Sequence, residues 1–279
     1  MEIGVLGPEG TFSETAAMLW LKEGGRSENF TIKFYETIFD VSESILKREV
    51  NYGIVPIENS LEGSVGDTLD VLSSENAEEM QIVGEVLVPI RICLLFNGSF
   101  PQIKKIASHH HALAQCKQFI RERLKGVVLK SVDSTASAAK LAAQSEEIAA
   151  LASAEAAKRY GVNILKSDVQ DKDSVTRFVV LSSSGIKTSP TGKDKTSILI
   201  DLKERPGALY DVLGEFAQRG INLTKIESRP SKRALGDYMF HIDCEGHLEE
   251  EEIKEALKGV EKKATTLKIL GTYPMAIRK

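Results

Sequence analysis

The sequence predicts an α/β protein in which a two-lobed α/β unit is followed by a smaller ferredoxin-like βαββαβ unit. Three observations lead there. Residues 1–182 alternate short β-rich runs with helical stretches, the pattern of sheets carrying helices on both faces. Residues 183–195 are poor in apolar groups and rich in Ser, Thr, Gly, Pro and Lys, which reads as a linker. Residues 196–279 then change to a compact strand, helix, strand, strand, helix, strand order. At 279 residues the chain exceeds one ordinary core of about 100–200 residues.

Strands are expected at Glu2–Leu6, Thr31–Tyr35, Tyr52–Pro56, Lys104–Ala107, Gly126–Val132, Ile148–Leu151 and Val175–Ser182. Ile82–Phe96 is too long for one strand and Pro89 interrupts it. It reads as a strand leaving one lobe for the other, with the Val175 strand returning, so the crossovers fall near 82–96 and 165–178. In the C-terminal unit Ile198, Ile200 and Leu202 alternate on a strand. Pro206-Gly207 then opens a helix with Leu209, Val212, Leu213, Phe216 and Ala217 at three- and four-residue spacing, ended by Gly220. A strand through Ile226 follows, and Tyr238, Phe240, Ile242 and Cys244 alternate on another. Glu249–Glu252 begin a helix with lysines toward its far end, as the macrodipole favours, and Leu267–Leu270 form the last strand.

The 36 basic and 40 acidic side chains leave a net charge of −4, so no polyanion-attracting field exists and no nucleic-acid partner is expected. No apolar run approaches the roughly 18 residues of a membrane span, and Met1 leads straight into a strand, so a cytoplasmic chain is expected. Cys93, Cys116 and Cys244 are odd in number and lack Cys-x-x-Cys spacing, which suggests neither a disulfide framework nor a zinc site.

Hydroxyl and amide side chains recur where strands give way to helices: Thr11 and Ser13, Asn59 and Ser60, Ser108, Ser134 and Thr135, and Ser153. Helix capping accounts for each singly. Together, at the carboxyl ends of α/β strands and beside helix N-termini, they suit a small anion held in a cleft between the lobes. Gly4, Gly7 and Gly10 invite a dinucleotide fingerprint, but Val5 stands where its first glycine belongs and Pro8 follows Gly7. For His109, His110 and His111, consecutive helical residues diverge by about 100° each, so no metal is expected there.

Two segments carry more hydrogen-bonding capacity than capping needs: Glu58-Asn59-Ser60-Leu61-Glu62-Gly63-Ser64 and Thr176-Arg177-Phe178. With Gly7-Pro8-Glu9-Gly10-Thr11-Phe12-Ser13, Ser108-His109, Ala112-Leu113-Ala114-Gln115-Cys116 and Ser134-Thr135-Ala136-Ser137 in order, the chain resembles prephenate dehydratase. Gly207-Ala208-Leu209 and Glu227-Ser228-Arg229-Pro230 resemble the phenylalanine-binding motifs of that family's ACT regulatory domain. The chain departs from the family at Ser174, where Asn is usual, and at His111, where Gln is frequent. With no chorismate mutase segment before Met1, it looks like the single-activity form.

The resemblance implies a periplasmic-binding-protein-like catalytic domain over 1–182 and an ACT domain over 196–279. It also implies a carbon–oxygen lyase converting prephenate to phenylpyruvate, water and CO2, with no cofactor and no metal, inhibited by L-phenylalanine. A homodimer or homotetramer follows from effector sites between paired ACT domains. Arogenate dehydratase and a non-catalytic two-lobed amino-acid sensor are the alternatives. Catalytic roles are implied for Thr176, Glu58, Asn59 and Ser60. Thr176 would donate to the leaving hydroxyl, and Glu58, if desolvated in the cleft, would relay a proton. Substrate contacts are implied for Thr11, Ser13, Ser108, His109, Ser134, Thr135, Arg177 and Phe178. Strand alternation turns Arg177 away from Thr176, where a surface or interdomain salt bridge is the competing reading, and Phe178 also suits the core. Effector contacts are implied for Gly207, Ala208, Leu209, Asn222, Glu227, Ser228, Arg229 and Pro230. A segment ending near Gly185 holds every cleft motif and is expected to act alone if it folds and assembles.

Overall fold

A computed structural model describes residues 1–25, 29–74, 78–230 and 238–276. The first lobe is built from β1 (Glu2–Leu6), α1 (Phe12–Glu23), β2 (Thr31–Tyr35), α2 (Ile38–Leu46), β3 (Tyr52–Asn59), β4 (Gly63–Ser64), α3 (Gly66–Ser73) and β5 (Met80–Ile90). The second contains β6 (Cys93–Leu95), β7 (Lys105–Ser108), α4 (His110–Gln115), α5 (Lys117–Arg123) and β8 (Val128–Ser131). It continues through α6 (Thr135–Ala143), β9 (Ile148–Ala152), α7 (Ala154–Tyr160) and β10 (Ile164–Lys166), and β11 (Ser174–Ser183) then returns to the first lobe. The third unit is β12 (Asp194–Leu202), α8 (Ala208–Ala217), β13 (Leu223–Pro230), β14 (Tyr238–Glu245), α9 (Glu251–Glu261) and β15 (Thr266–Pro274).

The three sheets run β2-β1-β3-β11-β5 with β4 beside β3, β10-β6-β9-β7-β8, and β13-β14-β12-β15. In the first, β1 pairs in parallel with β2 and β3, whereas β11 runs antiparallel to both β3 and β5. The start of β11 therefore lies beside the end of β3. The third sheet is wholly antiparallel and has the expected βαββαβ order.

Pro89 does not interrupt its strand, contrary to the sequence expectation: β5 runs through it to Ile90, with Pro89 opposite Val175. On this end strand the missing N–H costs no ladder bond. The chain changes sheet at residues 91–92 and returns through 167–173. β4 and β10 were not anticipated, since two or three residues are too few to show a period. The end of the expected linker is strand, because β12 already begins at Asp194.

Alternation along the strands decides what each sheet face meets. On one face of the first sheet, Ile3, Val5, Ile54, Phe178 and Val180 pack with Ala16, Ala17, Trp20 and Leu21 of α1, and this core continues into the second lobe through Ile92 and Leu94. On the other face, Val55, Ile57, Val179 and Leu181 pack with α2 and α3, and also with Leu199, Leu270 and Tyr273 of the third unit. The catalytic-side sheet and the C-terminal sheet thus share one core. Each fully buried Leu, Ile or Val there stabilises by about 1.5–3 kcal/mol. The opposite face of the C-terminal sheet, with Ile198, Ile200, Ile242 and Cys244, is covered by α8 and α9.

Candidate active site

The pairing of β11 with β3 shifts register between Arg177 and Phe178, so that Thr176 stands opposite Asn59, Arg177 opposite Glu58 and Phe178 opposite Pro56. Ile57 is the extra residue of a bulge. Up to Ile57 the strand alternates, with Val55 and Ile57 facing the C-terminal unit. Strict continuation would aim Glu58 at the cleft and Asn59 away from it; the bulge inverts that.

Asn59 is held at both ends of its amide. Its Oδ1 accepts from the backbone N–H groups of Leu61 at 2.9 Å and Glu62 at 3.1 Å. Its Nδ2 donates to Ser174 Oγ and to Thr176 Oγ1, each at 2.9 Å. Because Thr176 Oγ1 accepts from Asn59, its own hydroxyl proton remains available to a ligand. Thr176 is only 8% exposed, which leaves that donor in a largely water-excluded position. Ser174, where the family pattern expects Asn, spends its oxygen on Asn59.

A cleft of about 1180 Å³ opens beside this pair. Thr11, Ser13, Asn59, Thr176 and Phe178 line it from the first lobe, and His109, Ser134 and Thr135 line it from the second. Thr11 stands at the N-cap of α1 and donates to the Leu6 carbonyl at 3.1 Å, while Ser134 caps α6 by accepting from Ser137 N–H at 3.0 Å. Thr37, at the N-cap of α2, lines it too. The positive ends of these helices turn toward one space, which favours an anion. Among the described residues, no lysine or arginine lines it. Burial and the neighbouring His110 and His111 lower the His109 pKa.

Four expected site residues lie elsewhere. Arg177 is 7% exposed on the opposite sheet face and bonds to Glu85, Asp243 and Tyr273, so it is no carboxylate clamp in this cleft. Glu58 is not among the cleft's lining residues; its carboxylate lies 3.7 Å from Arg177 and 3.8 Å from Lys225, where it cannot relay a proton to a cleft ligand. Ser60 accepts from Val175 N–H at 3.0 Å, fixing the strand ends. Ser108 is fully buried and donates to the Leu151 carbonyl at 2.6 Å. Phe178, 2% exposed, joins the core and also touches the cleft.

The sequence reading missed Tyr35, Thr37, Glu62 and Gln115 along the cleft. Thr37 had a usable signal, the Thr-x-x-Asp capping box with Asp40 that opens α2. The histidine reading also needs correction. His109 is an extended N-cap residue before α4, so the helical angle does not separate it from its neighbours. The three rings lie 4.1–5.1 Å apart between centroids.

In the C-terminal unit Gly207 adopts φ +82° at the N-cap of α8, with Ala208 and Leu209 in the first turn. Glu227 and Arg229 do not project from the α8 side of the sheet. Glu227 accepts from Ser64 at 3.0 Å and Arg229 pairs with Asp70 at 3.0 Å, both in the first lobe. Alternation leaves Ser228 and Pro230 on the other face, and Asn222 is exposed just before β13.

The prephenate dehydratase family profile matches residues 3–185, and the ACT domain profile matches residues 196–262. The bifunctional chorismate mutase/prephenate dehydratase of Aquifex aeolicus is 43% identical over 99% of this chain and 74% of its own length. The prephenate dehydratase of Methanocaldococcus jannaschii is 40% identical, covering 96% of each. The crystal structure of prephenate dehydratase from Arthrobacter aurescens in complex with L-Phe superposes with a TM-score of 0.89 at 35% identity, over 98% of this chain and 90% of that one.

Proposed function

The chain belongs to the prephenate dehydratase family, and on that premise we propose that it converts prephenate to phenylpyruvate, water and CO2 and is inhibited by L-phenylalanine at its ACT domain. The observation that carries this reading is the Asn59–Thr176 pair at the cleft wall. In the reaction the bond from the ring to its carboxylate breaks and CO2 departs. That electron pair completes the aromatic ring and expels the hydroxyl across it, which takes up a proton supplied by solvent and leaves as water. Thr176 donates a hydrogen bond to the departing oxygen, where negative charge grows in the transition state. Asn59 aims that donor by occupying the threonine's acceptor side. The helix N-termini at Thr11 and Ser134 hold the two carboxylates in place of a cationic clamp.

The working form is a cytoplasmic homodimer or homotetramer with effector sites between ACT domains, which light scattering resolves. Phenylpyruvate release from prephenate, measured beside phenylalanine release from arogenate, tests substrate and activity together. Activity on prephenate is expected. Preference for arogenate would transfer the reading to that substrate, and a folded protein inactive on both would make the chain a sensor. Among the described residues no helix is long and apolar enough to cross a membrane.

A further inference from the structure

We propose that His109, His110 and His111, with Glu62 behind His111, bind one late first-row divalent transition-metal ion on the wall of the cleft. One ring nitrogen from each of the three histidines lies within 4.8 Å of those of the other two. A tetrahedral ion at about 2.0–2.1 Å from each nitrogen keeps the nitrogens about 3.3 Å apart, so modest side-chain rotations complete the site. Imidazole donors select Zn2+, Ni2+ or Cu2+ over Mg2+ and Ca2+, which take oxygen ligands.

The independent support is Glu62. Its Oε2 lies 2.9 Å from His111 Nδ1. An Nδ1–H donated to that carboxylate leaves the Nε2 lone pair free for a metal, the arrangement that orients metal-binding histidines. Gln115 Nε2 donates to the other Glu62 oxygen at 3.3 Å. Glu62 lies in the turn between β3 and β4 of the first lobe, whereas the histidines open α4 of the second. An occupied site therefore draws on both walls of the cleft. The dehydration proposed above assigns no part to His110 or His111, so the metal site stands on its own geometry.

The test takes the full chain without an added histidine tag, freed of metal by chelator and dialysis. Calorimetric titration with ZnCl2 and NiCl2 should show one ion bound per chain at micromolar metal. The double variant His110→Gln/His111→Gln should bind at least about tenfold more weakly, and Glu62→Gln about tenfold more weakly, as loss of an orienting carboxylate does. No uptake by the wild type, or unchanged affinity in the folded double variant, overturns the site; unchanged affinity in Glu62→Gln overturns the role of Glu62. Should the double variant fail to fold, electron paramagnetic resonance of the wild type with CuCl2 decides. Hyperfine structure from imidazole nitrogens is expected, and an all-oxygen spectrum refutes the proposal.

Discussion

Arg177 Nη1 donates to Asp243 Oδ2 at 2.6 Å, joining the strand that carries Thr176 to the C-terminal sheet. The same guanidinium donates to Glu85 at 2.6 Å and to Tyr273 at 2.9 Å, and Lys195 reaches Glu85 at 2.9 Å. Burial opposes the charge on Arg177, but Tyr273, Asp243 and Glu85 outweigh it and raise its pKa. Burial likewise pushes Asp243 up, and Arg177 with Ser197 overcomes it, holding the carboxylate below its usual range. Removing one member leaves a buried charge under-compensated. Asp243→Ala should therefore cost about 3–5 kcal/mol in urea unfolding. An apolar replacement of both partners, Arg177→Met with Asp243→Leu, should recover most of it; a loss below about 1 kcal/mol in Asp243→Ala would show that the network is not coupled as described.

Thr176→Ala should lower kcat and kcat/KM together by about 100-fold or more, because the donor acts on charge that develops in the transition state. Thr176→Ser should retain more. Glu58→Gln should leave kcat within about threefold, since that carboxylate faces Arg177 and Lys225 rather than the cleft. Steady-state kinetics on the three variants decide, and a collapse of kcat in Glu58→Gln would restore the proton-relay role.

Gly207→Val should weaken phenylalanine binding at least about tenfold while uninhibited kcat stays near normal, since effector site and cleft communicate only through a coupling free energy. The positive φ at Gly207 makes any β-branched residue strained there. Calorimetry with phenylalanine beside kinetics reads both effects. Equal affinity in a folded variant would place the effector elsewhere.

His241 is buried between β14 and α3, and its Nε2 lies 2.8 Å from Ser73 Oγ. Ser73 gives its proton to the Leu69 carbonyl, so Nε2 is the donor. Burial lowers the His241 pKa to about 4; Lys225 and Arg229 add to the fall, and Asp243 and Asp70 oppose it. The unfolded pKa is about 6.5, so between that value and about 4 the unfolded state binds the extra proton. Stability is then full above pH 6.5 and falls as the pH drops toward 4, by at most about 3 kcal/mol. Thermal melts from pH 7.5 to 4.5 should show this slope reduced in His241→Gln. An unchanged slope would assign the acid sensitivity to other groups.

Truncation after Gly185 should destabilise the remaining domain rather than free it, which bears on the condition, folding and assembly, under which this segment is expected to act alone. The cut removes Leu199, Leu270 and Tyr273 from a shared core and strips Arg177 and Glu85 of Asp243 and Lys195. The truncated protein should melt well below the full chain and lose most activity. A truncation as stable and active as the full chain would contradict the shared core.

The sequence by itself determined the features that depend on neighbours along the chain. Short β-rich runs marked β1 and β2 to the residue, the three-four spacing of Leu209 to Phe216 marked α8, and hydroxyls at strand ends pointed to Thr11 and Ser134 at one cleft, whereas Thr176 rested on the family resemblance. These signals survive because periodicity and capping are local. Only the tertiary structure decided which way Glu58 and Asn59 face, because one bulge residue, Ile57, reverses every side chain after it and leaves no mark in the pattern. The same holds for Arg177. Its neighbour's hydroxyl is read at the cleft, but its own partners Glu85, Asp243 and Tyr273 come from distant strands, and no local period encodes which buried charge will meet which.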